Sequence, residues 1–369
     1  MHKIPIPIFA LILFVSCTSN NAASEDLNLK EIDLISDNLL ITKIIPLAST
    51  QSNLLGPFLN VKYTEDYIWI LDKDNSDAIH GFNWKGESIG YVAERGEAPG
   101  QLLDLLDFSL KGEQILALSN SGDEVEISSF STDNNLLSQV RIPFNCFTFC
   151  ENETGGYWLY SGYNSVSGEY RLLSTDSQGA IREEYLKNDF SEKMIPLSES
   201  SFFQGNQETL FRESFKPEIY TITENGLDLK YRFNFSELKV PESYWEMDAI
   251  SGFEMIDRNG FANIEFVAEN NQFVIFDLFI QNEGEIWKEF VILNKDSKVA
   301  RKIKVNTDIN GHLMTPIGLE NDTILFISYA PYLVRNKQNL NLSQEALSVI
   351  DTINEDDNPA IFYAKIPNL

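Results

Sequence analysis

Short apolar runs separated by polar turns dominate the chain from about residue 41 onward. The runs are rich in Ile, Val, Phe, Tyr and Trp, and clusters of Asn, Asp, Gly and Ser separate them. Such a pattern is typical of short β-strands joined by turns. Apolar residues with helical spacing occur at 26–38 and at 343–353, where we expect short helices. The pattern as a whole predicts an all-β fold.

One unit recurs along the chain: an apolar strand, a polar turn, a second strand, a turn rich in Asn, Asp and Gly, and a third strand. The clearest copy has its strands at 67–71, 78–82 and 88–92. Equivalent central positions, 42 to 64 residues apart, are Ile70, Leu116, Trp158, Leu210, Val274 and Leu325. Six antiparallel units of this size, without alternating helices, favour a β-propeller over a sandwich.

The two ends of the repeat pattern complement each other. The last unit has no third strand after 360–366, whereas the strand at 40–47 precedes the first unit and has no unit of its own. Pairing of these two segments would hide sheet edges and tie the ends of the ring together. We therefore predict a six-bladed β-propeller over residues 39–369, with the N-terminal strand completing the last blade.

The N-terminus has the pattern of a signal peptide. A short basic start, which includes Lys3, precedes an apolar run at 4–15 that Pro5 and Pro7 interrupt. This run is too short for a membrane-spanning helix, which needs ~20 residues. No later segment is apolar enough to cross a membrane. We assign residues 1–16 to a signal peptide.

The apolar run ends in a sequence that resembles a bacterial lipobox, in which a small residue, here Ser16, precedes a cysteine, here Cys17. The resemblance implies that Cys17 carries acyl chains at the mature N-terminus; the alternative is an ordinary signal peptide with an incidental cysteine. The polar residues that follow predict a flexible tether, assigned to 17–38. The expected location is the cell envelope, lipid-anchored to the outer membrane and either periplasmic or surface-exposed.

The charge balance disfavours some partners. Lys and Arg total 28 against 55 Asp and Glu, which gives a formal net charge of −27. An acidic surface repels nucleic-acid phosphates and anionic lipid headgroups. We therefore expect no nucleic-acid partner, and contact with the membrane through the lipid anchor only.

Two further cysteines, Cys146 and Cys150, lie four positions apart. In an extended strand this spacing separates their Cα atoms by ~13 Å, beyond the ~7 Å limit of a disulfide. The intervening residues Phe147, Thr148 and Phe149 give no turn signal. The spacing favours two buried free thiols, and with no histidine nearby it does not indicate a metal site.

The sequence GYVAERGEAPGQ at 90–101, followed by LLDFSL at 105–110, resembles a motif of the six-bladed β-propeller lipoproteins that are widespread in Bacteroidota. The hairpin at 68–82 is similar to the leading strands of NHL-type blades. In this chain Ala98 occupies a position where that family usually has Gly, and Gln101 one where it has Glu. The resemblance implies the propeller fold and an envelope location; because the family is largely uncharacterised, it implies little about activity.

The motif also contains the main candidates for ligand contact. Arg95, Gly96, Glu97 and Gly100 lie in a connection between blades, where backbone amides and two opposite charges would face the ring surface. The alternative is structural, with the two glycines only providing left-handed backbone. His312, at a predicted turn, is a further candidate.

Recognisable catalytic or metal-binding patterns are lacking. After removal of the signal peptide only His80 and His312 remain; His80 lies within a predicted strand, where packing is the simpler explanation. The acidic loop at 72–77 resembles a calcium loop, but Asp77 and Asn83 stand where an EF-hand requires Gly and an acidic ligand. We assign no catalytic residue, no metal and no cofactor.

Two functions remain open. The first is a binding or interaction module that takes a peptide, a glycan or a partner protein at the central face of the propeller. The alternative is a lactonase-like hydrolase or lyase with a metal held by carboxylates in the central channel, an analogy at the level of fold alone.

Overall fold

A computed structural model describes residues 24–35, 39–73, 78–98, 100–163, 168–188, 200–223, 226–306 and 315–367. In these ranges the strands form six small sheets arranged as the blades of a propeller. Each of the six equivalent positions inferred from the repeats lies in the second strand of a different blade. The predicted six-bladed β-propeller is confirmed.

Blades 1–3 are four-stranded antiparallel meanders. Blade 1 contains β4 (Leu59–Tyr63), β5 (Tyr67–Asp72), β6 (Ile79–Asn83) and β7 (Ser88–Val92). Blade 2 contains β8 (Asp107–Lys111), β9 (Gln114–Ser121), β10 (Glu124–Ser131) and β11 (Leu136–Ile142). Blade 3 contains β12 (Thr148–Glu151), β13 (Tyr157–Tyr160), β14 (Tyr170–Thr175) and β15 (Ile181–Lys187).

Blades 4–6 have a fifth strand each. Blade 4 contains β16 (Phe202–Gln204), β17 (Thr209–Arg212), β18 (Glu218–Thr223), β19 (Gly226–Asn234) and β1 (Glu25–Asn28). Blade 5 contains β20 (Phe261–Glu269), β21 (Phe273–Asn282), β22 (Glu285–Asn294), β23 (Val299–Asn306) and β2 (Asp33–Leu34). Blade 6 contains β24 (Thr315–Glu320), β25 (Thr323–Ser328), β27 (Ala360–Lys365), β3 (Leu40–Pro46) and β26 (Asn341–Leu342).

The first strand of each blade, here called the inner strand, faces the centre of the ring. Inner strands of successive blades contact one another from β4 through β8, β12, β16 and β20 to β24. The ring closes where Gly318 on β24 lies against Tyr63 on β4: a Cβ atom at Gly318 would lie 1.9 Å from the Tyr63 hydroxyl oxygen. Glycine at this position therefore permits the close approach of the first and last inner strands.

Apolar side chains packed between neighbouring blades hold the inner strands in place. Trp69 of blade 1 shares a buried cluster with Phe108 and Phe130 of blade 2. Phe82 of blade 1 shares another with Ile361 of blade 6. Because such contacts recur around the ring, the main core lies between the blades, and the inner strands are left to form the wall of a central space.

The strand predicted at 40–47, which is β3, completes the last blade, as predicted. β3 pairs with β27 in antiparallel register, with Ile45 opposite Ile361, and β27 pairs in turn with β25. Segments from both ends of the chain therefore share one sheet.

Asn358, which is 1% exposed, strengthens this junction. Its amide nitrogen donates to the carbonyl oxygens of Ala48 and Asn53, both at 2.9 Å. Its side-chain oxygen accepts from the Leu55 backbone N–H at 2.9 Å, and its own backbone N–H donates to Ser49 Oγ at 2.8 Å. One buried amide thus joins the C-terminal part of blade 6 to the connection that leads into blade 1.

The helix predicted at 26–38 is wrong. Over this segment β1 pairs in parallel with β19, and β2 pairs in parallel with β23. Leu27 and Leu29 alternate with polar neighbours and enter the apolar cluster between blades 4 and 5, together with Ile32. The part of the predicted tether that the structure describes, residues 24–35, therefore packs on the propeller, which begins before residue 39.

Three α-helices lie in the described ranges. α1 (Ala249–Asn259) precedes blade 5, and α2 (Ala330–Asn336) and α3 (Gln344–Ile350) lie between β25 and β27. α3 confirms the helix predicted at 343–353, and Ser343 caps it by accepting from the Ala346 N–H at 3.2 Å. None of these helices is long and apolar enough to span a bilayer.

Candidate ligand-binding cavity

A cavity of about 1740 Å³ occupies the centre of the ring. All six inner strands and several of the turns that follow them contribute to its wall. Pockets that hold drug-sized ligands measure ~300–1000 Å³. The central cavity therefore has room for a ligand larger than a typical small molecule.

Turns on one side of the ring contribute to the wall of the cavity. In blades 1–5, whose first four strands form a meander, the turn between the first and second strands and the turn between the third and fourth strands lie at the same end of the sheet. We call this side the hairpin face, and the opposite side, where the chain passes from blade to blade, the connection face. Turns of the hairpin face line the cavity through residues that include Glu65, Trp84, Glu113 and Thr132.

Acidic side chains dominate the charged part of the lining. They are Glu65, Asp66, Asp107, Glu113, Glu151, Glu208, Glu265, Glu269, Asp277 and Glu320. Among the described lining residues, Lys62 is the one basic side chain. Lysines pair with several of these carboxylates, but carboxylates remain in excess, and a concave surface with an excess of negative charge concentrates positively charged groups.

Some of these carboxylates are fixed by hydrogen bonds. Asp107, at the start of β8, accepts from Asn60 Nδ2 at 2.6 Å, from Thr148 Oγ1 at 2.5 Å and from the Phe149 N–H at 3.3 Å. The Lys62 ammonium lies 3.7 Å from the same carboxylate. Asp107 thereby connects the inner strands of blades 1, 2 and 3.

A second group of charges lies in blade 5. The Lys288 ammonium contacts Asp277 at 2.6 Å and Glu265 at 2.7 Å. Asp277 is 1% exposed, and its Oδ1 has no hydrogen-bond partner among the described residues. Burial raises the pKa of Asp277 to about 6, an effect that Lys288 opposes.

The carboxylates of the lining do not form a metal-ligating cluster. Within the described ranges, no group of three or more His, Cys, Asp or Glu side chains is arranged to hold an ion. Lysines separate the carboxylates: Lys230 pairs with both Glu208 and Glu269, and Lys111 pairs with Glu151. This arrangement does not favour the lactonase-like alternative, which requires carboxylates that converge on a metal.

Three half-buried aromatic side chains, Tyr63, Trp84 and Tyr363, form what we call the aromatic rim of the cavity. The ring centroids of Tyr63 and Trp84 are 5.5 Å apart, and those of Trp84 and Tyr363 are 6.2 Å apart. The Trp84 indole N–H donates to the Thr64 carbonyl oxygen at 3.0 Å and thus fixes the ring. Burial, followed by the nearby Glu320 carboxylate, raises the pKa of Tyr63, so its hydroxyl stays protonated.

Cys146 and Cys150 are free thiols, as predicted. Cys146 is buried, whereas Cys150 is half-buried and contributes to the cavity lining. Burial raises the pKa of both thiols, which keeps them protonated at neutral pH.

The connection that contains the sequence-predicted residues is organised by Gln101. Its side-chain oxygen accepts from the Ala98 N–H at 3.0 Å, and its amide nitrogen donates to Glu94 Oε2 at 2.9 Å. The Gly96 N–H donates to the Leu102 carbonyl oxygen at 2.8 Å. A Cβ atom at Gly96 would lie 2.0 Å from the Gln101 Oε1, so a larger residue at this position would require the Gln101 side chain to move.

Arg95, Glu97 and Gly100 are exposed in this connection, which lies on the connection face. Arg95 Nε donates to the Leu103 carbonyl oxygen at 3.3 Å, and Gly100 has a φ of 87°, in the left-handed region. The lining of the central cavity comes from other residues. The structure thus gives Gly96 and Gly100 clear roles in the backbone, and ligand contact by this connection stays a prediction.

Cys17, His312 and residues 74–77 of the acidic loop lie outside the described residues. His80 is buried on β6, opposite Ile70 on β5, and burial lowers its pKa. This agrees with the packed histidine expected at that position.

Sequence reasoning missed the inner strands that line the cavity. The repeat unit contained three strands per copy, and these correspond to the second, third and fourth strands of a blade. Trp84 carried a signal, since it is a large aromatic side chain within the polar turn at 83–87.

Comparison with known proteins gives a family match. A family model described as "Domain of unknown function (DUF4934)" matches residues 18–365. No curated protein matches the chain significantly.

Solved structures support the fold. A protein from Bacteroides fragilis described as exported has 16% identity and a TM-score of 0.74, and the match covers 94% of this chain and all of the other. A member of the DUF4221 family from Bacteroides vulgatus has 10% identity and a TM-score of 0.57, with 92% and 99% of the two chains covered. At these identities the likeness extends to the fold alone.

Proposed function

The chain belongs to the DUF4934 family, and from this premise we propose that it is a lipid-anchored protein of the bacterial cell envelope whose propeller binds a positively charged peptide segment in the central cavity. The binding site is the aromatic rim together with the acidic lining behind it.

The envelope location rests on the N-terminal sequence. The apolar run at 4–15 and the lipobox-like sequence that ends at Cys17 have the pattern of an exported, acylated protein. The structural neighbour from Bacteroides fragilis is itself described as exported.

The central cavity is the observation that carries the binding role. Its lining combines many carboxylates with Lys62 as the one described basic residue, and three aromatic rings stand at its edge. Lysine and arginine side chains bind to aromatic faces through cation–π interactions and to carboxylates through charge-assisted hydrogen bonds.

The test compares two tryptophans by calorimetric titration with a capped lysine nonapeptide. We expect Trp84→Ala to weaken binding roughly 2- to 30-fold, because loss of one cation–π contact costs ~0.5–2 kcal/mol. Trp287→Ala is the matched control: Trp287 is also half-buried, but it lies on β22, away from the cavity. Its binding should equal that of the native protein.

Two other results would overturn this proposal. Equal binding by the native protein and Trp84→Ala would show that the aromatic rim is not part of the site. Loss of binding in Arg95→Ala with Glu97→Ala would move the site to the connection face. A neutral glucose hexasaccharide in the same titration tests the charge requirement: binding of the sugar but not of the peptide would overturn the ligand class.

A further inference from the structure

A groove on the hairpin face continues the central cavity outward between blades 3 and 4. It measures about 600 Å³. One wall comes from blade 3, with Glu153 after β12 and Glu183 on β15, and the other from blade 4, with Gln207 after β16 and Thr223 at the end of β18. We call it the blade 3–4 groove.

The groove and the cavity share part of their lining. The common residues are Glu151, Gln204, Gly205, Gln207, Glu208 and Thr209. A chain bound in the cavity can therefore continue into the groove without leaving the protein surface. Either space alone is at least comparable in size with a drug-sized pocket, ~300–1000 Å³, so one compact small molecule would leave much of the joint space empty.

The charge of the groove matches that of the cavity. Glu153 and Glu183 are exposed carboxylates on its blade 3 wall. The basic residue on that wall, Arg182, forms an ion pair with Asp176 of the same hairpin, which neutralises much of its charge. Glu151 and Glu208, where the groove meets the cavity, are paired with Lys111 and Lys230, so the excess negative charge of the groove lies at Glu153 and Glu183.

From this continuity we infer that the ligand is an extended basic peptide. One part of the peptide occupies the central cavity, and another part lies in the blade 3–4 groove. This inference rests on the proposed function. The exposed carboxylates Glu153 and Glu183 suit a chain with several lysine or arginine side chains. A neutral glycan could donate hydrogen bonds to these carboxylates but would form no ion pair with them, so the charge of the lining favours the peptide.

Peptide length provides the test. Capped lysine peptides of three and nine residues are titrated into the full-length protein by calorimetry in buffer of physiological ionic strength. We expect the longer peptide to bind more tightly, because only the longer one can reach both spaces. Substitution of Glu153→Gln with Glu183→Gln should weaken the nonapeptide roughly 2- to 30-fold, at ~0.2–1 kcal/mol for each exposed charge pair, and leave the tripeptide unchanged.

A charge-matched control is needed because the whole protein carries a net charge of −27. Glu184→Gln with Glu285→Gln removes the same two charges. Glu184 follows Glu183 on β15 and so points to the other side of the strand, and Glu285 lies at the start of β22 in blade 5. This control should bind both peptides as the native protein does.

The outcomes separate this inference from the proposed function. If the nonapeptide binds no more tightly than the tripeptide, or if both double variants weaken it equally, the groove has no role and the inference fails. In that case sensitivity to Trp84→Ala would still support binding in the cavity. One further result would overturn the inference. The protein would bind a neutral glucose hexasaccharide and not the peptide, and Glu153→Gln with Glu183→Gln would leave that binding unchanged.

Discussion

In blades 1–3 the fourth strand is the outermost, whereas in blades 4–6 a short parallel strand from a distant part of the chain covers it. β7, β11 and β15 expose most of their side chains, among them Leu137 at 51%. On the other half of the ring, β1 and β2 from the N-terminal segment and β26 from the insertion after β25 add the fifth strands.

The two halves differ in whether a further strand covers the fourth strand, because blades 4 and 6 also have a register shift between their third and fourth strands. In each of blades 1–3 the pairing of the third and fourth strands contains a register shift, at Gly81/Phe82, Ser129/Phe130 and Ser174/Thr175. Such bulges twist an edge and disfavour pairing with another chain. The covered half gains apolar burial as well, since Leu27, Leu29 and Ile32 pack beneath the added strands. The comparison indicates that the N-terminal segment stabilises blades 4 and 5, while blades 1–3 fold without such a cover.

The largest effect is expected from a charge placed under the cover. Leu27→Asp would bury an unpaired carboxylate where Leu27 is 6% exposed, and should lower the free energy of unfolding by about 3–5 kcal/mol. Leu137→Asp, at the open edge of blade 2, should change it by less than about 0.5 kcal/mol. Urea denaturation measures both; equal effects would mean that the two edges do not differ energetically.

A somewhat smaller effect is expected at the junction of the two halves. Asn358→Ala removes the side-chain hydrogen bonds of Asn358 and leaves buried backbone groups of Ala48, Asn53 and Leu55 without that partner. The loss should be about 2–4 kcal/mol, because unsatisfied buried polar groups cost ~1–3 kcal/mol each and some regain water. Thermal unfolding followed by circular dichroism tests this, and a shift of less than about 2 °C would contradict it.

The smallest effect concerns pH and the covered half. Burial raises the pKa of Asp277 in blade 5 from 3.8 to about 6, so the folded state holds this proton more tightly than the unfolded state does. The resulting contribution to stability is present below pH 3.8 and is lost as the pH rises through about 6, on the order of 1–3 kcal/mol. The free energy of unfolding of the native protein and of Asp277→Asn is measured from pH 4 to pH 7. The difference between the two isolates the contribution of Asp277. A difference that grows with pH would have the wrong sign.

The sequence predicted those parts of the fold whose residues face apolar surroundings on both sides. β5 is buried almost throughout, and such strands form continuous apolar runs that recur along the chain. Inner strands such as β8 have one side towards the cavity, so polar and apolar residues mix and no run is visible. The short strand β1 was taken for part of a helix, because Leu29 and Ile32 are three positions apart, a helical spacing, although Leu27 and Leu29 alternate as in a strand.

The cavity could not be predicted for a related reason. Its lining comes from residues scattered between Leu59 and Tyr363 on all six blades, and only closure of the ring brings them together. The motif at 90–101 was easier to recognise because its residues are contiguous. A contiguous motif of this kind can serve local packing, such as that of Gly96 against Gln101, as well as ligand contact.

The position of β1 limits how far the propeller can stand from a membrane. If Cys17 carries the acyl chains as proposed, eight residue steps separate it from Glu25, where β1 begins on the outer side of blade 4. The contour length of these eight residue steps is at most about 28 Å, whereas a tether that ran to residue 38 would reach about 75 Å. The outer edge of blade 4 would then stay within about 28 Å of the bilayer, and this attachment requires neither face of the ring to lie against the membrane.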